Sequence, residues 1–106
     1  MRLSWFNTKE LDEFADTLVA RLIESYPPSR GPLSGRKAFE RLRRLFGGTF
    51  ERIDGFVRGH RLNLYKKAHF ANRVRWSLLE AGYPREFVDT MTEELVAHLT
   101  LASRGR

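Results

Sequence analysis

The chain has 106 residues, no cysteine, and 19 lysines and arginines against 13 acidic residues, for a formal net charge of +6. This length fits one domain with one core, and the lack of cysteine excludes disulfides, cysteine-ligated zinc and a cysteine nucleophile. No run approaches about 18 consecutive apolar residues, and the first residues lack the apolar stretch of a signal peptide, so we expect a cytoplasmic protein.

The positive charge is concentrated in the middle of the chain. Residues 27–54 carry seven basic and three acidic groups, and residues 55–79 carry six basic groups and no acidic one. Residues 1–26 and 80–106 each carry a net charge of −2. A local surplus of cations attracts phosphate groups or acidic protein surfaces. The central region is therefore predicted to carry the binding function.

The first predicted helix has apolar residues at helical spacing and charged residues on its other side. Asn7 is predicted to cap its start, and Pro27 to end it, because a residue before proline disfavours the helical conformation. Its apolar positions are Leu11, Phe14, Ala15, Leu18, Val19, Leu22, Ile23 and Tyr26.

Two helices are predicted in the basic segment that follows. Ser34 can cap a helix over residues 35–46, and Gly47 and Gly48 are expected to end it. Thr49 is expected to cap a shorter third helix. The apolar positions of the two helices are Phe39, Leu42, Leu45 and Phe46 in the first, and Phe50, Ile53 and Val57 in the second.

A fourth helix is predicted to start within residues 60–63 and to run to Ala81. Gly82 stands where a residue in the left-handed conformation commonly terminates a helix. Tyr83 just beyond it is expected to contact Leu78, as in a Schellman motif.

Pro84 is predicted to open a fifth helix, because proline is tolerated at a first helical position. Residues 103–106 are expected to fray as a tail. The predicted buried side of this helix is Phe87, Val88, Met91, Leu95, Leu99 and Ala102. Since the sequence shows no alternating segment and no repeat, we expect an all-α fold. It should form a single domain over residues 1–102, with four to five helices in an orthogonal or irregular bundle.

The fourth helix combines cations and aromatic residues without a carboxylate to balance them. Lys66 and Arg73 are seven residues apart and therefore share one face. The apolar arc predicted opposite them is Leu64, Ala68, Ala71, Leu78 and Leu79. A mixed aromatic stripe between the two faces is formed by Tyr65, His69, Asn72 and Trp76.

We interpret this helix as a surface whose cations contact phosphates and whose rings offer flat faces to bases or to a partner. The expected ligand is a polyanion, most simply a nucleic-acid backbone bound without reading its sequence. The predicted polyanion-binding residues are Arg58, Arg61, Lys66, Lys67 and Arg73, extended by Arg43 and Arg44. The predicted aromatic contacts are Tyr65, His69 and Trp76.

Other interpretations use the same residues. An aromatic stripe at helical spacing is more often part of a core, in which case Tyr65 and Trp76 are buried and the cations are ordinary surface. Alternatively, the protein is a helical adaptor or homodimer whose aromatic patch, with Trp5 and Phe6, packs on a protein partner. A membrane surface is disfavoured, because the basic helix has two different wet faces and no single apolar face to insert.

Three further features concern the last two helices. Arg75 falls inside the predicted apolar arc, which favours an ion pair with Asp89 or Glu94 of the fifth helix. Glu94 and His98, four residues apart, predict a surface pair. The segment LLEAGYPREFVDTM has the glycine and apolar spacing of a helix-turn-helix, but the four acids of its would-be reading helix, Glu86, Asp89, Glu93 and Glu94, would oppose phosphates. The second or fourth helix is therefore the better candidate for a DNA contact.

No catalytic or metal-binding motif is recognisable. His60, His69 and His98 lack the spacing of metal ligands, and no nucleophile, base and oxyanion hole can be assembled from the sequence. We therefore expect a non-enzymatic protein with no cofactor and no metal.

Overall fold

Five α-helices follow one another along the chain: α1 (Lys9–Ser25), α2 (Gly35–Leu45), α3 (Gly47–Gly59), α4 (Leu64–Ala81) and α5 (Arg85–Arg104). The computed structural model describes residues 9–29, 34–59 and 64–104, and these ranges contain no strand. The prediction of an all-α fold with up to five helices is confirmed. The expected Asn7 cap, Trp5 and Phe6 lie outside the described residues.

The start of α2 follows its local signal, whereas its end differs from the prediction. The Ser34 hydroxyl accepts a hydrogen bond from the Lys37 amide at 3.1 Å, as an N-cap does. Gly47 and Gly48 do not terminate α2, because they form the first turn of α3. Phe46 is the only residue between the two helices. Its carbonyl accepts a hydrogen bond from the Thr49 amide at 3.0 Å, and α3 accordingly starts at Gly47, three residues before Phe50.

The turn after α4 is the predicted Schellman motif. Gly82 has φ +105°, in the left-handed region. The Tyr83 amide donates to the Leu78 carbonyl at 3.2 Å, and the Gly82 amide donates to the Leu79 carbonyl at 3.1 Å. These two bonds satisfy carbonyls that the end of a helix leaves unpaired. Pro84 precedes α5 as its cap, since its carbonyl accepts the Val88 amide at 3.0 Å.

One core joins all five helices, and α5 lies at its centre. The helix α5 packs on α2, α3 and α4, while α1 packs chiefly on α4. Phe14 of α1 stacks on Phe70 of α4 at 5.9 Å between ring centroids, and its edge meets Phe50 of α3 at 6.1 Å. The predicted buried side of α5 is confirmed, with five of its residues buried and Ala102 packed partly against the core. The helix continues through Ser103 and Arg104, the first two residues of the predicted tail.

The orientation of α4 differs from the prediction. Its buried row is Lys66, Phe70, Val74 and Leu78, spaced four residues apart. Leu64 is 81 % exposed and Ala68 is also exposed, so the first part of the predicted arc points outward, whereas Leu78 of the same arc is buried as predicted. The physical reason is volume: Phe70 and Val74 fill the space against α1 and α5, which Leu64 and Ala68 were expected to fill.

Candidate functional site

The solvent side of α2 carries the most continuous positive charge among the described helices. Gly35, Ala38, Phe39 and Leu42 are buried and form a narrow apolar stripe. At about 100° per residue, the arc opposite this stripe is occupied by long cationic side chains and one carboxylate. Its members are Arg36, Lys37, Glu40, Arg41, Arg43 and Arg44. We call this set the α2 basic face.

The cations of the α2 basic face form rows along the helix. Arg36 and Arg43 share one row, and Lys37 and Arg44 share another. Each pair is seven residues apart, or roughly 10 Å along the axis. The carboxylate Glu40 lies 3.7 Å from Arg36, and both side chains are well exposed, so this contact is screened by water. No other ion pair is formed by the face within the described part of the chain.

A further cation from α1 lies at the C-terminal end of α2. The guanidinium carbon of Arg21 sits 5.0 Å from the centre of the Phe46 ring, a cation–π contact. Arg43 and Arg44 occupy the last turn of α2, where the helix dipole favours positive charge. The end of α2 is therefore the most cationic described part of this surface.

Arg73 of α4, by contrast, is held by carboxylates of α1. Arg73 donates two hydrogen bonds of 2.9 Å to the two carboxylate oxygens of Asp16, and its third nitrogen lies 3.9 Å from Asp12. Hydrogen bonding from Arg73 lowers the pKa of the Asp16 carboxyl below its ordinary value, although partial burial of Asp16 opposes the shift. The same hydrogen bonds raise the pKa of Arg73. Arg73 is exposed, but its charge is matched.

The other α4 residues predicted to bind a polyanion, Lys66 and Lys67, do not form an exposed cationic face with Arg73. Lys66 is only 8 % exposed, because it stands in the buried row one turn before Phe70. Lys66 and Arg73 do share a side of α4, as predicted, but that side faces α1 and the core. The Lys67 ammonium donates to the Thr100 hydroxyl of α5 at 3.4 Å. Arg61 and the side chain of Arg58 lie outside the described residues.

Two other α4 side chains also bridge to neighbouring helices. His69 lies 2.7 Å from an Asp12 carboxylate oxygen of α1. Arg75 lies 2.8 Å from Asp89 of α5, which is one of the two partners predicted for it. The Arg75–Asp89 pair is more than one third exposed on both sides, so it is a surface pair and not a buried one.

Two aromatic residues of α4, Tyr65 and Trp76, lie on the surface. Trp76 is 63 % exposed and Tyr65 is 46 % exposed, so the interpretation of both rings as core residues is wrong. The ring of Tyr65 packs beside that of His69, at 6.1 Å between centroids. A large aromatic surface is thus available on this helix.

Sequence reasoning missed the link that His98 makes across the core. The predicted pair with Glu94 is not formed; instead His98 lies 2.8 Å from Asp54 of α3. Its ring also meets the rings of Phe50 and Phe39, at 5.2 and 6.2 Å between centroids. Because 44 residues separate His98 from Asp54, no local pattern could have indicated this contact.

A cleft of about 480 Å³ opens between α1 and α3. Phe14 and Ile53 form its apolar floor, with two threonines, two glutamates and one arginine around them. The lining residues are Glu10, Glu13, Phe14, Thr17, Thr49, Arg52 and Ile53. Among the described residues, no base is hydrogen-bonded to a threonine hydroxyl of this cleft.

Searches for other kinds of site and for relatives gave negative findings. Among the described residues, no group of three or more histidine, cysteine or acidic side chains could hold a metal ion. None of the described helices combines the length and apolar character that crossing a membrane requires. No family model matches this sequence, and no curated protein or solved structure is significantly similar to it.

Proposed function

We propose that this protein is a non-enzymatic module that binds a polyanion, most simply a nucleic-acid backbone, through the α2 basic face. The observation that supports the proposal is the contrast between two helices. The cations of α2 are exposed around a single carboxylate, whereas Arg73 and Arg75 of α4 are paired with carboxylates of other helices. A cation that already has a partner gains less from a phosphate than an unpaired one. We therefore propose that the site lies on α2 and not on α4.

The chemistry of the α2 basic face favours phosphates over bases. Its side chains are lysines and arginines, which contact backbone phosphates without discriminating between sequences. The nearest ring along the chain that is not fully buried, Phe46, is packed partly against the core and is covered by Arg21. Binding should thus be driven by release of counterions and should depend little on base sequence.

The test compares two double variants that remove the same charge. Lys37→Gln with Arg44→Gln removes one row of the α2 basic face, and Lys67→Gln with Arg73→Gln removes two α4 cations. Both lower the formal net charge from +6 to +4. Affinity for a duplex DNA of random sequence is measured by fluorescence anisotropy from 20 to 300 mM salt.

We expect wild-type binding to weaken steeply with salt, with log K falling by about 0.9 per phosphate contacted. The α2 variant should lose about two contacts, which flattens the slope by about 1.8, whereas the α4 variant should keep the wild-type slope. Equal losses in both variants would show that only total charge matters and would contradict a site on α2. Binding that does not respond to salt would contradict the proposal as a whole.

The proposal includes a cytoplasmic location. Its support is the absence of cysteine from the whole sequence, which fits a compartment where disulfides are not used. Fractionation of cells that express the tagged chain tests this directly, and recovery in a membrane or secreted fraction would contradict it.

A further inference from the structure

The outward side of α4 is an almost uncharged aromatic surface. Leu64, Tyr65, Ala68, Asn72 and Trp76 are all exposed and recur along one side of the helix. The side chain of Leu79, partly buried, lies on the same side one turn further. We call this set the α4 outer face. Exposed tryptophan and tyrosine at the centre of a patch are typical of protein interfaces.

Ion pairs border the α4 outer face on both edges. Arg73 with Asp16 lies along the α1 edge, and Arg75 with Asp89 lies along the α5 edge. An apolar centre within a polar, charge-balanced rim is the usual anatomy of an interface. Because each cation of these ion pairs is balanced by a carboxylate, the rim gives no electrostatic preference for a basic or an acidic partner.

Five of the six residues of the α4 outer face are spaced symmetrically about Asn72. Tyr65, Ala68, Asn72, Trp76 and Leu79 are separated by three, four, four and three residues. If two copies of α4 pair antiparallel with Asn72 at the two-fold axis, residue i of one copy lies level with residue 144 − i of the other. A face with this symmetry is matched to itself in the antiparallel direction.

The residue types fit that register. Trp76 lies level with the partner copy's Ala68, so the largest side chain meets the smallest, and Tyr65 lies level with Leu79. The two Asn72 amides face each other and can exchange hydrogen bonds. In a parallel pair, two tryptophans would share one layer and two alanines another, which packs poorly.

We infer that this chain forms a two-fold symmetric homodimer by antiparallel pairing of the α4 outer face. This inference is independent of polyanion binding, since α2 and α4 are not in extensive contact. Together with Leu64, Ala68 and Asn72, the exposed parts of the two rings supply on the order of 500 Å² per copy, given that a whole aromatic side chain buries about 150–250 Å² and that Trp76 and Tyr65 are 63 % and 46 % exposed. The total of about 1,000 Å² is near the lower limit for a specific interface, so the dimer should dissociate in the micromolar range.

The register is tested by cross-linking, because the wild-type chain contains no cysteine. Asn72→Cys places a single thiol at the two-fold axis, and Glu80→Cys places an equally exposed thiol on the same helix but away from the axis. Under mild oxidation, we expect the Asn72→Cys protein to form disulfide-linked dimers at least tenfold faster. Equal rates for the two proteins would overturn the antiparallel register.

Self-association itself is tested by sedimentation velocity from 1 to 300 µM. We expect Trp76→Glu to raise the dimer dissociation constant at least tenfold. The control Leu45→Glu introduces the same charge at an exposed leucine of α2 and should leave the constant unchanged. A wild-type protein that remains monomeric throughout this range would overturn the inference, and the α4 outer face would then be open to a different protein. Melting curves followed by circular dichroism show that each variant is folded.

Discussion

Tyr83 fastens the end of α1 to the turn between α4 and α5. Its hydroxyl donates a 2.6 Å hydrogen bond to the Tyr26 carbonyl, and its ring stacks on Phe87 at 4.9 Å between centroids. Burial, with a smaller contribution from Tyr26, raises the pKa of Tyr83 to about 12. The folded chain therefore holds the neutral phenol, and ionisation of this group must favour unfolding.

This pKa predicts a specific loss of stability in alkali. A group whose pKa is raised on folding stabilises the protein fully below its unfolded value, which is 10.0 here, and that contribution disappears as the pH rises through the folded value. We expect the free energy of unfolding of the wild type to fall between pH 10 and 12 more steeply than that of Tyr83→Phe. Urea unfolding at each pH measures both.

The Tyr83→Phe protein also separates the hydrogen bond from the ring. It keeps the stacking but loses the hydrogen bond from the hydroxyl to the Tyr26 carbonyl, so it should be about 1–2 kcal/mol less stable at pH 7. If the free energies of unfolding of the two proteins fell with the same slope above pH 10, the pKa of Tyr83 would not be raised in the folded protein.

Thr92 is a buried residue whose hydroxyl has no hydrogen-bond partner among the described residues. An unpaired buried polar group costs free energy, and valine has nearly the same shape. We expect Thr92→Val to raise the free energy of unfolding by about 1 kcal/mol, measured by urea denaturation. A destabilised variant would reveal that the hydroxyl does have a partner.

At the scale of elements, the contact between α2 and α5 depends on Gly35. A methyl group at this position would lie 2.6 Å from the Phe87 carbonyl oxygen and 2.8 Å from the Met91 amide nitrogen. These are backbone atoms of α5 and cannot rotate aside. The two helices must therefore separate to admit any side chain at position 35.

Two alanine substitutions in neighbouring helices should consequently have opposite signs. Gly35→Ala should destabilise the protein by about 1–3 kcal/mol, as overpacking does. Gly48→Ala in the first turn of α3 has nothing within 4 Å of the added carbon and should be neutral or stabilise by up to about 1 kcal/mol. Denaturant midpoints of the two variants measure this difference, and a stable Gly35→Ala protein would disprove the close approach.

The caps of individual helices could be predicted from the sequence, whereas the start of α3 and the orientation of α4 could not. Ser34 and Gly82 act on atoms within a few residues of themselves, so their roles as caps were predictable from local chemistry. The start of α3 was not, because Gly47 disfavours a helix by itself and is helical only through the packing of Phe50 beyond it. The outward side of α4 was misassigned because Leu64 and Phe70 compete for the core, and only the volume between helices decides that competition.

For the whole molecule, α5 is the element on which most others depend. It contacts three helices and carries buried residues from Phe87 to Leu99, whereas α3 includes three glycines in its first nine residues. Helices with fewer buried contacts and lower propensity open first. We expect amide exchange in the second half of α3 to be faster than in α5, measured by mass spectrometry. Equal protection of the two helices would indicate that the domain opens only as one unit.

The sequence does not reveal which cations of the folded molecule are paired with a carboxylate. The surplus of cations in residues 27–79 can be counted from the sequence, but whether each is available to a ligand depends on distant partners. Arg73 and its partner Asp16 are 57 residues apart. The cations of α2 lie on the side of the helix that turns away from the core. Among the described residues, no carboxylate of another helix pairs with them, and Glu40 of α2 itself is the one acidic contact.

The connection between α2 and α3 is too short to accommodate a change in its length. Because Phe46 is the only residue between them, inserting one amino acid there would turn α3 by about 100° about its own axis relative to α2. Phe50, Ile53 and Val57 would swing out of the core together, and Asp54 would leave His98. A one-residue insertion that a surface loop would tolerate would, at this position, remove the buried side of α3 from the core.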